Sequence, residues 1–294
     1  MRVIDCHVHL YPAETNRDPV GWAAARGETE WAELCTRRRK NGWAVQAFPS
    51  VAELLREMDR AGVERAVLLG WYWKKTETCE WQNRFYAECV RAHPDRLSAF
   101  ATTQPLGGVE PVRAEMRRAR DDGLIGLGEL SPHAQGYAVD DPVFCDALAL
   151  AAELRWPVTL HVTDPNSRDY PGRVETPLED FVRLAREFPQ VTFVLAHWGG
   201  LLPLHDAEAA KLANVFYDTA ASPLVYDDSV WRRLLAAVPA ERVLFGSDFP
   251  LNLYPKLDAE PSMRRFIDEA RIAGAPESVM RGNAVRLLGL TTAR

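Results

Sequence analysis

The chain opens MRVIDCHVHLYP, placing His7 and His9 two apart inside an apolar run that otherwise reads as a strand. Residues i and i+2 of a strand share a face, so both imidazoles project the same way and could grip one metal ion. Seven histidines in the chain supply about 0.17 such pairs by chance, so the pair gains meaning only if further ligands converge on it. Candidates stand in other short apolar runs: Glu129 in GLIGLGEL, His161 in PVTLHVT, His197 in VTFVLAHW and Asp248 in RVLFGSDF. Four of the seven histidines thus fall in a few strand-like segments, where a random scatter would put most on helices and loops. Neutral imidazole and carboxylate suit zinc, manganese or iron, and three or four of them leave a position open for water. Water on such an ion becomes a nucleophilic hydroxide near neutral pH, and a carboxylate beside it can take a proton and return it to a leaving group.

Something must bring these segments together. From residue 51 onward the sequence alternates a helical pattern, a turn, and a short apolar run ending in polar residues, the rhythm of βα units with parallel strands. Eight runs qualify: VIDCHVHL, RAVLLGW (65–71), RLSAFATTQ (96–104), GLIGLGEL (123–130), PVTLHVT (157–163), VTFVLAHW (191–198), NVFYDTA (214–220) and RVLFGSDF (242–249). Between them, SVAELLREMDRAG carries a capping box at Ser50 and Glu53. TPLEDFVRLAREFP predicts a cap at Thr176, Pro177 in the first turn and Glu179 closing a second box. Asn283 predicts an N-cap for the last helix. Eight such units predict a closed (β/α)₈ TIM barrel, whose chemistry sits at the C-terminal ends of the strands. A doubly wound sheet would need a glycine-rich phosphate turn after its first strand, and HVHLYP has none.

Residues 1–294 read as one domain with an insertion at about 12–49, after the first strand. It holds Trp22, Trp31, Trp43 and the basic run Arg37 to Lys40. Long insertions on this face often form lids or substrate walls. The equal alternative buries the tryptophans on the barrel and leaves the charges on a solvated helix face. Weaker substrate candidates are Trp71, Trp73 and Lys74, where flat rings and a cation could hold an aromatic acid, together with Arg168 and the loop residue His133. His93 and His205 read as surface residues.

A net charge of −6 with interspersed signs excludes the electrostatic footprint of a nucleic-acid binder. Five scattered cysteines without a CxxC spacing indicate neither a disulfide framework nor a thiolate zinc site, which fits a reducing cytoplasm. No signal-peptide pattern and no apolar run of about 20 residues predict a protein that is neither exported nor membrane-bound. A small-molecule substrate is the expected partner, and a homo-oligomer is compatible with this composition.

The motifs IDCHVHL, GLGELSP, TLHVTD, VLAHWGG, FGSDFPLN and RGNAVRLLGL occur in this order across nearly the whole chain. Together they resemble the amidohydrolase superfamily, specifically its amidohydrolase-related branch (family 2), which includes decarboxylases similar to aminocarboxymuconate-semialdehyde decarboxylase. The resemblance implies that His7, His9 and His161 bind a divalent transition metal, with Zn²⁺ foremost and Mn²⁺ or Fe²⁺ as alternatives. Asp248 then binds metal and moves protons. His197 ligates a second ion in binuclear members and contacts substrate or water in mononuclear ones. Glu129 stands where binuclear members carry a bridging carboxylated lysine or a glutamate, so one or two ions are implied. The expected activity is hydrolysis of an amide, cyclic amide or lactone by metal-activated water, with catalysis by Asp248 and His197. The alternative is non-oxidative decarboxylation of a small aromatic or unsaturated acid. A third reading, a non-catalytic small-molecule-binding barrel, is opposed by the complete ligand set.

Overall fold

The computed structural model describes residues 2–290. Eight strands lie in chain order: β1 (Val3–Val8), β2 (Val63–Leu68), β3 (Leu97–Ala99), β4 (Leu127–Leu130), β5 (Val158–Leu160), β6 (Phe193–Leu195), β7 (Val215–Asp218) and β8 (Val243–Leu244). Every neighbouring pair is parallel, in the orders β1-β2-β3 and β4-β5-β6-β7-β8. A parallel bridge between Ala101 and Leu127 joins the two arcs. Val8 pairs with Phe249 on the other side, and the Cys6 amide donates to Phe245 O at 2.8 Å, so the ring closes as a (β/α)₈ barrel.

The strands are shorter than the apolar runs that predict them. In RVLFGSDF only Val243–Leu244 keep the ladder with β7, and the rest turns inward to reach β1. A barrel strand buried on both faces needs only a few apolar residues, and its polar end leaves the ladder where it enters the site.

Long helices follow most strands: Val51–Ala61, Thr76–Ala92, Val109–Asp121, Pro142–Glu153, Leu178–Glu187, Ser229–Ala237 and Met263–Ile272. The expected box at Ser50 is present, with Glu53 Oε2 accepting from the Ser50 amide at 2.7 Å. The box expected at Thr176 is not. Helix Leu178–Glu187 starts after Pro177 without a side-chain cap, and buried Thr176 accepts the Thr163 amide at 2.8 Å, pinning the loop that follows β5. Asn283 lies inside a continuous helical stretch, not at its N-cap. Its amide donates to Ala240 O and Val243 O, each at 2.7 Å, and ties the last helix beneath β8. The sixth unit has short turns, His197–Leu201 and Leu202–His205, in place of a long helix.

Ile4, Cys6, Val67, Leu69, Phe100, Val194 and Leu244 form an apolar cluster closed by Ala284 of the last helix. The insertion builds its own core. Trp22 packs edge-on against Trp31 and Trp73, each at 5.5 Å, with Tyr11 and Phe48 beside them. Burying rings of this size stabilises about 1.5–3 kcal/mol each, enough to hold three short helices that could not stand alone. No helix among the described residues is long and apolar enough to cross a membrane.

Candidate active site

Five strands deliver the candidate ligands to one end of the barrel. β1 carries His7 and His9, and an irregular register with β2 between Asp5 and Val8 re-aims the segment that holds them. Their Nε2 atoms lie 3.1 Å apart. His7 Nδ1 is 2.9 Å from Asp218 Oδ2, and His9 Nδ1 is 3.1 Å from Leu69 O. Carboxylate and carbonyl oxygens only accept, so both Nδ1 atoms carry a proton and the two Nε2 atoms are left to face each other. Glu129 Oε2 stands 3.5 Å from His9 Nε2 and 3.6 Å from His7 Nε2. Asp248 Oδ1 stands 3.6 and 3.7 Å from the same atoms.

Four potential ligand atoms thus converge, and a positive charge among them, a proton or a metal ion, would relieve their repulsion. Two nitrogens held about 2.1 Å from one ion are about 3.0–3.4 Å apart, so the spacing fits a shared divalent metal. The charges around His7 act in the same sense. Burial opposes a charge on His7, but the carboxylates of Asp218 and Glu129 outweigh it and hold its pKa well above the imidazole range. Burial likewise opposes charge on Glu129, yet His161 and His7 keep its pKa well below the carboxylate range.

A second group shares Glu129. His161, just beyond β5, sets Nδ1 at 2.9 Å from Glu129 Oε1, and His197 Nε2 lies 3.2 Å from the same nitrogen. His197 Nδ1 is 3.2 Å from Ala220 O, which makes its Nε2 an acceptor. One proton on His161 Nδ1 therefore satisfies Glu129 and His197 together, and Thr163 Oγ1, 3.4 Å from His161 Nε2, completes the ring. Burial, and next the neighbouring His161, lower the His197 pKa and keep it neutral. The first group is spaced for a shared ion. The second is satisfied by a proton.

His197 opens an uncommon turn. Residues His197, Trp198, Gly199, Gly200 and Leu201 all have left-handed φ between 56 and 64°. The glycines adopt it freely, whereas each non-glycine costs about 1–2 kcal/mol. Burial of Trp198, edge-on to Trp231 at 5.0 Å, offsets part of that cost. Asp248 also has φ 65°, and its amide donates to His7 O at 2.9 Å. Gly246 permits the approach of β8, because a Cβ there would lie 2.7 Å from His7 Cβ.

Above the cluster opens a cavity of about 750 Å³ whose floor includes His9, Glu129, His161, His197 and Asp248. Trp71 and Tyr72 line it, stacked at 4.4 Å, and the Tyr72 ring is 5.1 Å from His161. Burial, then the Glu129 charge, raise the Tyr72 hydroxyl well above its usual pKa, so it remains a donor. Arg168 lies on the rim. Three other sequence candidates are not brought into the cavity. Trp73 points into the insertion core and donates to Gln82 Oε1 at 2.6 Å. Lys74 faces Glu30 at 3.5 Å, and His133 pairs with Asp180 at 2.9 Å.

The basic run is not a solvated helix face. Arg37 and Arg39 line the cavity from irregular chain, with Arg37 lying 4.7 Å over the Tyr170 ring and donating to Pro171 O at 3.2 Å. Tyr170, Tyr226 and Asp164 complete the wall. None of these, nor Asp218, stood among the sequence candidates. Asp218 ends β7 within the seventh run, NVFYDTA, and the rule that selected the other strand ends applies to it equally.

The amidohydrolase family model matches residues 4–290, and the chain belongs to that family of enzymes. Among solved structures it is similar to 5-carboxyvanillate decarboxylase from Sphingomonas paucimobilis, with 19% identity over 99% of both chains and a TM-score of 0.74. It is similar also to a dihydroxybenzoic acid decarboxylase from Polaromonas with bound manganese and 2-nitroresorcinol, at 19% identity, 99% and 98% coverage and a TM-score of 0.70. A probable 2-pyrone-4,6-dicarboxylic acid hydrolase from Acinetobacter baumannii with citric acid bound matches at 18% identity, 99% and 100% coverage and a TM-score of 0.64. At these identities the likeness is one of fold. No curated protein sequence matches the chain.

Proposed function

We propose that this protein is a metal-dependent, non-oxidative decarboxylase of a small aromatic or unsaturated carboxylic acid. The observation that carries the proposal is the cavity itself, where a histidine-carboxylate floor faces a wall of flat rings and half-buried arginines. The decarboxylases among its structural relatives favour this activity over the hydrolysis expected first from the motifs.

His7, His9 and Asp248 would hold the ion with help from Glu129 or His161, and this donor set suits Zn²⁺, with Mn²⁺ and Fe²⁺ as alternatives. When bound, the ion would act as a Lewis acid that orients the substrate's carboxylate and a neighbouring oxygen. Tyr72 and Trp71 would stack on the substrate plane, and Arg37 would face its outer polar edge. Protonated Asp248 would deliver its proton to the carbon bearing the carboxylate, using a pair of ring electrons. The bond to the carboxylate carbon then breaks, its electrons restore the unsaturated system, and CO₂ departs. Asp248 regains a proton from water.

One observation favours hydrolysis as a second reading: Glu129 faces two ligand groups, as a carboxylate shared by two ions would. The test incubates zinc- or manganese-loaded protein with hydroxybenzoates, aromatic dicarboxylates, lactones and cyclic amides, following CO₂ and acid release separately. CO₂ release from an aromatic acid supports the proposal. Acid release from a lactone or amide, without CO₂ from any acid, would overturn it.

A further inference from the structure

Asp218 ends β7, is buried, and uses both of its oxygens. Oδ2 lies 2.9 Å from His7 Nδ1, while Oδ1 accepts the backbone N–H groups of His197 and Ala220, each at 3.0 Å. We propose that Asp218 is a positioning residue that fixes, through one carboxylate, the tautomer of His7 and the turn from which His197 enters the site. The proposal rests on the metal-dependent reading above.

The first arm follows from hydrogen-bond chemistry. A carboxylate oxygen cannot donate, so His7 must place its proton on Nδ1 and leave the Nε2 lone pair for an ion. A charged acceptor at that distance also makes the imidazole a stronger ligand. The second arm holds the backbone. His197 begins five consecutive left-handed residues, and Asp218 Oδ1 binds the N–H groups on both sides of this junction, from the end of β6 and from the residues after β7. The place is built for the pair: a Cβ on Gly246 would lie 2.7 Å from His7 Cβ and 3.6 Å from Asp218 Cβ.

Only a carboxylate satisfies all three donors. Asparagine offers one oxygen. If that oxygen serves the His197 and Ala220 amides, the NH₂ group meets His7 Nδ1 and drives the proton to Nε2, where it points at His9. If the amide flips, its NH₂ group meets two backbone N–H groups and the turn loses its acceptor.

Asp5 supplies the control, because its single oxygen Oδ1 accepts both the His7 and Ser247 amides, so Asp5→Asn removes a buried charge near His7 while keeping both bonds. The experiment uses the full chain loaded with zinc. Affinity is measured by chelator competition, and the His7 ring Nδ1–H is followed by ¹⁵N-histidine NMR, assigned by its loss in His7→Gln. The wild type should bind zinc with the proton on His7 Nδ1. Asp218→Asn should bind zinc about 10- to 100-fold more weakly and lose or shift that resonance, whereas Asp5→Asn should leave both readouts at wild-type values. Wild-type affinity and an unchanged ring resonance in Asp218→Asn would show that the residue is only structural. A zinc-loaded wild type without the Nδ1–H resonance overturns the proposal without any variant. A wild type that binds neither zinc nor manganese overturns it together with the metal-dependent reading.

Discussion

Glu129 and His161 face each other at 2.9 Å, and the other oxygen of the same carboxylate lies 3.5 Å from His9. One oxygen of Glu129 therefore meets a ring nitrogen that carries a proton, and the other meets the Nε2 atoms that can hold an ion. Metal titration should accordingly show one tight ion, with any second ion binding far more weakly because it must displace the proton of His161. Two ions of equal affinity per chain, counted by elemental analysis after gel filtration, would contradict this assignment. Glu129→Gln should weaken the tight site as well, since it removes a buried negative charge from beside two imidazoles.

Asp248→Asn should keep the fold and lose most of the activity. Asparagine retains size and one ligating oxygen but cannot carry a proton at neutral pH. A fall in kcat of about 10²- to 10⁴-fold with little change in KM is expected on a true substrate. If kcat survives with metal bound, the proton carrier must be sought at His197.

Arg37 is held by a ring and a carbonyl oxygen, which leaves its charge available to a ligand. Arg37→Gln should raise KM for acidic substrates by about tenfold or more and change kcat less, the signature of lost substrate binding. Equal KM values for wild type and variant, on an anionic and a neutral substrate alike, would remove Arg37 from the binding wall.

Trp73 is fully buried where the insertion meets the segment after β2. Trp73→Ala should cost about 3–5 kcal/mol in chemical denaturation, because it removes a ring that four neighbouring aromatic side chains pack against. A loss below about 1 kcal/mol would mean that the insertion core forms without it.

Glu28 is buried and accepts the amides of Lys74 and Lys75 at 2.9 and 3.0 Å. Burial raises its pKa above the ordinary 4.5. The folded chain thus holds this proton more tightly than the unfolded chain does, so its contribution to stability is largest below pH 4.5 and declines as pH rises through the folded value. The stability difference between wild type and Glu28→Gln, followed by urea unfolding from pH 4 to 7, should shift against the wild type across that window and then level off. A constant difference would refute the assignment.

The barrel and its centre were legible because both follow local rules. Parallel strands show as apolar runs between helix patterns, and the strand-end rule found His7, His9, Glu129, His161, His197 and Asp248, which the structure brings to one end. Asp218 obeys the same rule but lies inside a run chosen for its apolar residues. Tyr72 could not be separated from Trp73 by alternation, because the neighbours Trp71 and Tyr72 both line the cavity. Arg37 over Tyr170 could not be read, because it depends on two irregular segments, one after β1 and one after β5, meeting in space. The missing helix of the sixth unit follows from HWGGL, where a left-handed turn takes the chain out of the βα rhythm.

The seam of the barrel runs through the centre itself: the Asp248 amide donates to His7 O, and the Ser247 amide donates to Asp5, 242 residues away. A nascent chain still short of its eighth strand has the paired histidines but not the aspartate that completes them. The centre is therefore assembled only when the two ends of the chain meet, at the same step that closes the ring.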